Sequence, residues 1–335
     1  MSSVEMSPPP LLRTVTEYGT DYDLRRWSDE LRTDPRWDSR YVVAWEKGKA
    51  VGCLPIWRSA LPAPPSTFLI QQLATMGLSA DQPYLHLGGH SRLIGGATVV
   101  ARADRWATEE CLGKLISAAC SVATDLRIRP VAQYVPHAQL PAFLANWPTR
   151  PQVTAADVFS RLDLRWSPVG EPQHRLKRVR QQWKRDTRDL RELHALGLRS
   201  RWTAVSRELI AEAGPLVAAV AERNGRTIDH RLAGYEITKW WRFEPASATA
   251  LSIRDGAGRL LGVTFARRHE SALELYEVGM ADTFADRRSL YASLGFTEPM
   301  RFCLDAGLTV LELGVGHPVP KQIRGAQQEP LWHLS

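Results

Sequence analysis

The stretch "LYEVGMADTFADRRSLYASLGFTEPMRFCLDAGLTVLELGVGHPVPKQIRGAQQEPLW", residues 275–332, decides the fold. Its first residues, to Met280, alternate and predict a strand, which runs into the acidic loop "GMADTFAD". "RRSLYASLGFTEPMRFCLDAG", 287–307, has helical spacing and ends on Gly307, a residue suited to closing a helix. "LTVLELGVG", 308–316, predicts a buried strand, and "HPVPKQIRG" a Gly/Pro-rich turn that carries Lys321 and Arg324. Strand alternation puts Tyr276, Val278 and Met280 on one face and Leu275, Glu277 and Gly279 on the other. A glutamate inside a mostly buried strand needs a partner or water, which singles out Glu277.

Upstream, "ATALSIRDGAGRLLGVTFARRHESALELYEVGMAD", 248–282, predicts three strands with turns at Asp255-Gly256 and His269-Glu270. "LGLRSRWTAV" (196–205) predicts a strand and "RELIAEAGPLVAAVAERNG" (207–225) helical turns. Of the adjacent Trp240 and Trp241, one is expected in the core. Before these lies "HRLKRVRQQWKRDTRDLR", 174–191, with eight positive side chains against Asp186 and Asp189 in a chain whose net charge is +7. Leu176, Val179, Trp183, Leu190 and Leu193 fall on one helical face, and the basic residues lie largely elsewhere. A charge run is ordinarily a solvated face. Here the acids are few, and an anionic partner would relieve the repulsion and gain from released counterions. No helix-turn-helix or zinc pattern flanks the segment, which argues against DNA reading.

The first half mixes strands and helices: a hairpin in "YVVAWEKGKAVGCLPIWRS" (41–59), helices at 23–34, 103–126 and 138–147, and a strand at 129–135. "HLGGHSRLIGG", 86–96, has glycine pairs without a dinucleotide or P-loop pattern and predicts turns. The Pro/Gly stretch after Ser160 marks a domain boundary. Expected are a disordered tail over 1–12, an N-terminal domain over 13–165, and a C-terminal domain over 166–335 that includes the basic helix 174–193. The halves share a broadly similar order of elements, as duplication would give. Hydrophobic content of 44% and charged content of 24% are those of a globular protein, which excludes wholesale disorder. Four scattered cysteines predict neither a zinc site nor a disulfide framework, and with no leader or membrane span a cytoplasmic location is expected. Only seven of the 43 basic residues are lysine, so each lysine is the more informative.

The order of elements around 275–332 resembles the C-terminal half of the GNAT superfamily, particularly double-GNAT proteins related to Fem peptidyltransferases. In that group an Asp-rich loop leads into the helix, and a strand ending "LdlG" is followed by K-x-x-[RF]-G. The corresponding segments are "GMADTFAD", "LELG" (Leu311 to Gly314) and "KQIRG" (Lys321 to Gly325). The basic helix and the "VGCLPIW" hairpin are also similar. The resemblance covers most of the chain as an order of elements and residues 275–332 in motif detail. It implies a mixed α/β (α+β) fold of two tandem GNAT-like domains, each a largely antiparallel sheet flanked by helices. It also implies two parallel strands, "LELYEVGM" and "TVLELGVG", that splay apart around an acyl donor.

One departure bears on the donor. GNAT enzymes that use acetyl-CoA hold its pyrophosphate on a glycine-containing loop before the helix, and here that loop reads "GMADTFADRRSLY" without the glycine pair. Fem-like enzymes lack the loop because their donor is an aminoacyl-tRNA. The resemblance therefore implies an aminoacyltransferase that joins a tRNA-borne amino acid, with the aminoacyl-tRNA as co-substrate, to a small amine or hydroxylamine; no other cofactor and no metal is expected, and neither a membrane nor DNA is expected as a partner. It places Lys321 beside the developing oxyanion, with Glu277, Asp282 and His317 as candidates for proton transfer. Tyr276, Glu312 and Arg324 are candidates for binding substrate. Arg175, Lys177, Arg178, Arg180, Lys184, Arg185, Arg188 and Arg191 would bind tRNA. Two alternatives stay open: an N-acyltransferase fed by acyl-CoA or an acyl-carrier protein, and a non-enzymatic RNA-binding module.

Overall fold

The computed structural model describes residues 3–5, 37–46, 49–60, 67–88, 98–99, 105–165, 176–225, 228–269 and 271–335. The expected helix at 23–34, the glycine pairs after Gly88, the Pro/Gly stretch 166–173 and Arg175 lie outside the described residues. The chain divides into two compact units, one of 1–159 with 329–335 and one of 160–328. The last residues of the chain thus group with the first unit. Within the expected N-terminal tail, Ser3–Glu5 form a strand, β1.

In the first unit, β2 (Trp37–Glu46) and β3 (Lys49–Ser59) form the expected hairpin, in register from Trp37↔Ser59 to Glu46↔Lys49. β1 pairs with β2. Helix α1 (Thr67–Thr75) precedes β4 (Tyr84–Leu87), which pairs antiparallel with β3. A two-residue strand, β5 (Thr98–Val99), also pairs with β3. Helix α2 (Arg105–Asp125) leads into β6 (Arg129–Pro136), parallel to β4, and then into α3 (Leu140–Asn146) and β7 (Val153–Asp163). The expected stripe of α2, Leu112, Leu115, Ile116 and Ala119, packs on one sheet face with Leu54, Leu85, Leu87 and Val135. On the other face Leu69 and Leu73 of α1, with Met76 just after it, pack on Trp37, Trp57, Tyr84 and Val131.

The second unit opens with the basic helix, α4 (Lys177–Ala195), and β8 (Arg199–Ala204). Helices α5 (Arg207–Arg223) and α6 (His230–Phe243) follow, capped by Ser206 and Asp229. The meander β9 (Ala248–Arg254), β10 (Leu260–Arg268) and β11 (Ala272–Met280) is antiparallel. Helix α7 comprises Arg287–Ala292, a π-helical turn Ser293–Thr297, and Glu298–Asp305. β12 (Val310–Gly314) runs parallel to β11 and pairs on its other side with the end of β7. Helix α8 (Pro318–Gln322) and β13 (Gln327–Leu334) complete the chain, β13 pairing with β6. Thus the strand that ends each half of the sequence completes the sheet of the other half.

Helices cover both faces of the second sheet. Val217, Ala233, Ile237 and Trp240 of α5 and α6 pack on Ala250, Val263 and Phe265. Opposite, Val179 and Trp183 of α4 pack with Phe296, Met300 and Cys303 of α7 on Leu273 and Leu311. Gly262 is where α7 comes closest, since a Cβ there would lie 2.5 Å from Leu294 Cδ1. The π turn leaves the Leu294 carbonyl to the sheet, where Thr264 Oγ1 donates to it at 2.9 Å.

Candidate active site

β11 and β12 are paired over three residues only: Ala272↔Val310, Leu273↔Leu311 and Glu274↔Glu312. Beyond Glu274, β11 continues to Met280 on β10 alone, whereas β12 ends at Gly314. The parallel pair therefore opens into a fork, with Gly314 in the left-handed region (φ +65°) at its mouth. A bulge at Tyr276 lies just past the last pair: Phe265 faces Glu277 and Ala266 faces Leu275. The extra residue overturns the expected alternation. Val278 and Met280 pack with Leu290 and Leu294 of α7, whereas Tyr276 turns to the α6 side and stacks on Trp240 at 4.6 Å between centroids. The face opposite α7 carries a charged row in register across four strands: Arg267, Glu274, Glu312 and Arg161. Glu274 and Glu312 are 5% and 8% exposed, and His269 Nε2 lies 3.3 Å from Glu274 Oε2. Glu277, half-buried, stands on the stretch of β11 beyond its pairing with β12.

The segment after β12 is a short helix rather than the expected turn. Lys321, on its last turn, is buried and donates to the carbonyls of Gly314 and Val315, each at 2.9 Å. Its charge thus lies at the end of β12, at the fork's mouth. Arg324 is the residue expected to contact substrate. It is 5% exposed and forms a bidentate pair with Asp186 of α4 at 2.7 and 3.0 Å. Arg324 also donates to the Pro320 carbonyl at 2.8 Å and lies 4.2 Å over the Phe296 ring. Trp183 Nε1 donates to the Arg324 carbonyl at 3.2 Å. Two inward residues of the basic helix therefore hold the segment that carries Lys321.

Asp282 and His317 meet at another point, the C-terminal end of α5. Asp282 pairs with Arg223 and lies 3.8 Å from Arg287, while His317 Nε2 is 3.2 Å from Asn224 Oδ1. The loops that leave β11 and β12 are thus tied to the last residue of one helix and to its C-cap, which fixes the two sides of the fork. His317 does so from the left-handed region, φ 46°. Asp286 caps the N-terminus of α7, its Oδ1 accepting from Ser289 N at 3.1 Å. A carboxylate therefore occupies this helix end.

On α4 the expected stripe is observed for Val179, Trp183, Leu190 and Leu193, with one correction: Leu176 is 47% exposed. Its place in the buried set is taken by Asp186, which fills the seven-residue gap between Trp183 and Leu190. Lys177, Arg178, Arg180, Lys184, Arg185, Arg188 and Arg191 are all exposed, and Arg188 pairs with Asp189 and Glu192. The first turn holds no acid and no side-chain cap. Basic residues there oppose the helix dipole, the reverse of the stabilising arrangement. Asp186, Trp183, Arg223 and Asn224 were not anticipated as site residues; only Asp186 left a signal, as the polar position in an apolar period.

No family model matches the chain, and no curated protein matches it. Among solved structures, a tandem GNAT protein from the clavulanic acid biosynthesis pathway is similar with a TM-score of 0.52 and 13% identity, over 99% of this chain and 98% of its own. FemX is similar with a TM-score of 0.59 and 10% identity, over 93% of this chain and 91% of its own. L-PGS from Bacillus licheniformis gives a TM-score of 0.50 and 8% identity, over 93% and 86%. The shared property is the fold: a mixed α/β arrangement of the tandem-GNAT, Fem-like kind.

Proposed function

We propose that the protein is an acyltransferase whose donor is an aminoacyl-tRNA and whose acceptor is a small amine or hydroxylamine. The observation that carries this reading is the link between α4 and Lys321 through Trp183, Asp186 and Arg324. A polyanion docked on the exposed face of α4 is held against the same helix that positions the fork's lysine. The capped end of α7 supports the same donor, because a pyrophosphate would have to displace the Asp286 carboxylate. Arg287 and Arg288 are exposed beside it, the feature that would favour an acyl-CoA donor instead.

In the reaction the acceptor nitrogen attacks the ester carbonyl, its proton passes to a carboxylate or to the departing oxygen, and the ribose hydroxyl leaves. The donor ester is already activated, so alignment supplies much of the rate. Lys321 places positive charge where the oxyanion develops. Glu277 and Glu312 are the carboxylates placed to bind the amine and take its proton. Asp282 and His317 act on position, through Arg223 and Asn224.

The test is turnover of radiolabelled amino acid from a pool of charged tRNAs onto an amine pool. Lys321→Ala is expected to lower the rate on the order of 10²-fold, as loss of one oxyanion contact does. Full activity in this variant would refute the assignment, and a rate sustained by acyl-CoA alone would transfer it to the coenzyme donor.

A further inference from the structure

The first unit has a fork of its own. β4 and β6 are parallel from Tyr84↔Arg129 to Leu87↔Ala132, and β6 continues beyond that last pair. Leu85, Leu87, Ala132 and Val135 face the α2 core, whereas Tyr84 and Val131 face the α1 core. Alternation therefore puts His86 and Gln133 on the α1 side. His333 of β13 lies there too, its ring 5.1 Å from that of Tyr134. Tyr134 departs from alternation with φ 54° and shares a hydrogen bond with Gln72 of α1.

This group is neutral where the second unit's fork is charged. Gln133 is 1% exposed, and His86 and His333 are each 3% exposed. Yet both ends of the Gln133 amide, Nδ1 of His86, Nδ1 of His333 and Oε1 of Gln72 have no hydrogen-bond partner among the described residues. Buried polar atoms are almost always paired, and five orphans, four on strands and one on α1, cost a sizeable share of a domain's net stability. A bulky residue held at positive φ beside them adds strain that persists where a site demands it. Burial keeps both imidazoles neutral, depressing His86 to about 3 and His333 to about 4.

We infer that the α1 side of the first unit's fork is a binding site for a neutral small molecule bearing a primary amide. Gln133 offers one donor and one acceptor from a single planar group, which an amide edge matches pairwise. The His86 ring, stacked on Trp57 at 3.9 Å, and the Tyr134–His333 pair supply flat walls. A charged ligand finds no counter-ion in this group. The inference is independent of the donor assigned to the second unit.

Benzamide is the probe, followed on the full chain by saturation-transfer NMR and thermal unfolding. Binding is expected to the unaltered protein, weakened about tenfold or more in Gln133→Leu, which loses the amide pair. The same variant is expected to melt a few degrees higher without ligand, since it removes orphaned atoms from a core. His333→Phe, which keeps the ring, should also weaken benzamide and guards against a Gln133 variant that fails to fold. Absence of benzamide binding to the unaltered protein, or equal binding to all three proteins, would overturn the inference. So would a lower melting temperature for Gln133→Leu, which would mean that buried water satisfies the amide.

Discussion

Asp186 shows how one residue joins stability to function. Its carboxylate is 2% exposed and has the Arg324 guanidinium as bidentate partner. Asp186→Ala would leave a buried cation without its acid, costing about 3–5 kcal/mol, whereas replacing both partners by apolar residues of similar volume can be near neutral. The double variant Asp186→Leu/Arg324→Met is therefore expected to melt near the unaltered protein yet lose activity, because the Lys321 segment loses its tether. Denaturation combined with turnover checks this; a double variant that is both stable and fully active would show that the pair serves folding only. Sequence gave notice of Asp186 by periodicity, since a seven-residue gap in an apolar stripe has room for one more inward position. It gave none of Tyr276, because a bulge depends on how a neighbouring strand pairs, and alternation assumes that no residue is inserted.

Helix α4 carries the electrostatic part of the account. Three of its exposed basic residues, Lys177, Arg178 and Arg180, sit on an N-terminal turn without acids or a side-chain cap, a placement that repels itself and the helix dipole. Reversing Arg178, Lys184 and Arg188 to Glu is expected to abolish tRNA retention with little change in melting temperature, as all three are exposed. Retention on the unaltered protein should fall steeply as salt rises, roughly in proportion to the phosphates contacted. Salt-insensitive retention, or retention by the triple variant, would remove α4 from donor binding. The helices α2 and α4, and the hairpin of β2 and β3, were legible because long periodic segments report their own packing. Helix α8 was not: prolines at 318 and 320 read as a turn, although a proline at the first helical position fits well.

At the scale of the molecule, the two halves share a plan in which a parallel pair opens into a fork, neutral in one and charged in the other. The sequence disclosed the similar order of elements, but not that β13 completes the first sheet and the end of β7 the second. Pairing at that distance leaves no local trace. The buried histidines of the first unit are expected to make it acid-sensitive. Their folded values lie below the ordinary one, so the unfolded chain binds more protons and stability falls as pH drops below about 6.5. The loss approaches about 1.4 kcal/mol per pH unit for each histidine down to its folded value. His86→Phe is expected to flatten the dependence of melting temperature on pH between 6.5 and 4; an unchanged slope would contradict it.

The central claim is that the donor is a charged tRNA held by the helix that fixes Lys321. Its most direct measurement is product formation from charged tRNAs, with and without ribonuclease added before the protein. Loss of product after ribonuclease, with no inhibition by free coenzyme A, is the predicted result. Product that survives ribonuclease, or falls as coenzyme A is added, would contradict the account.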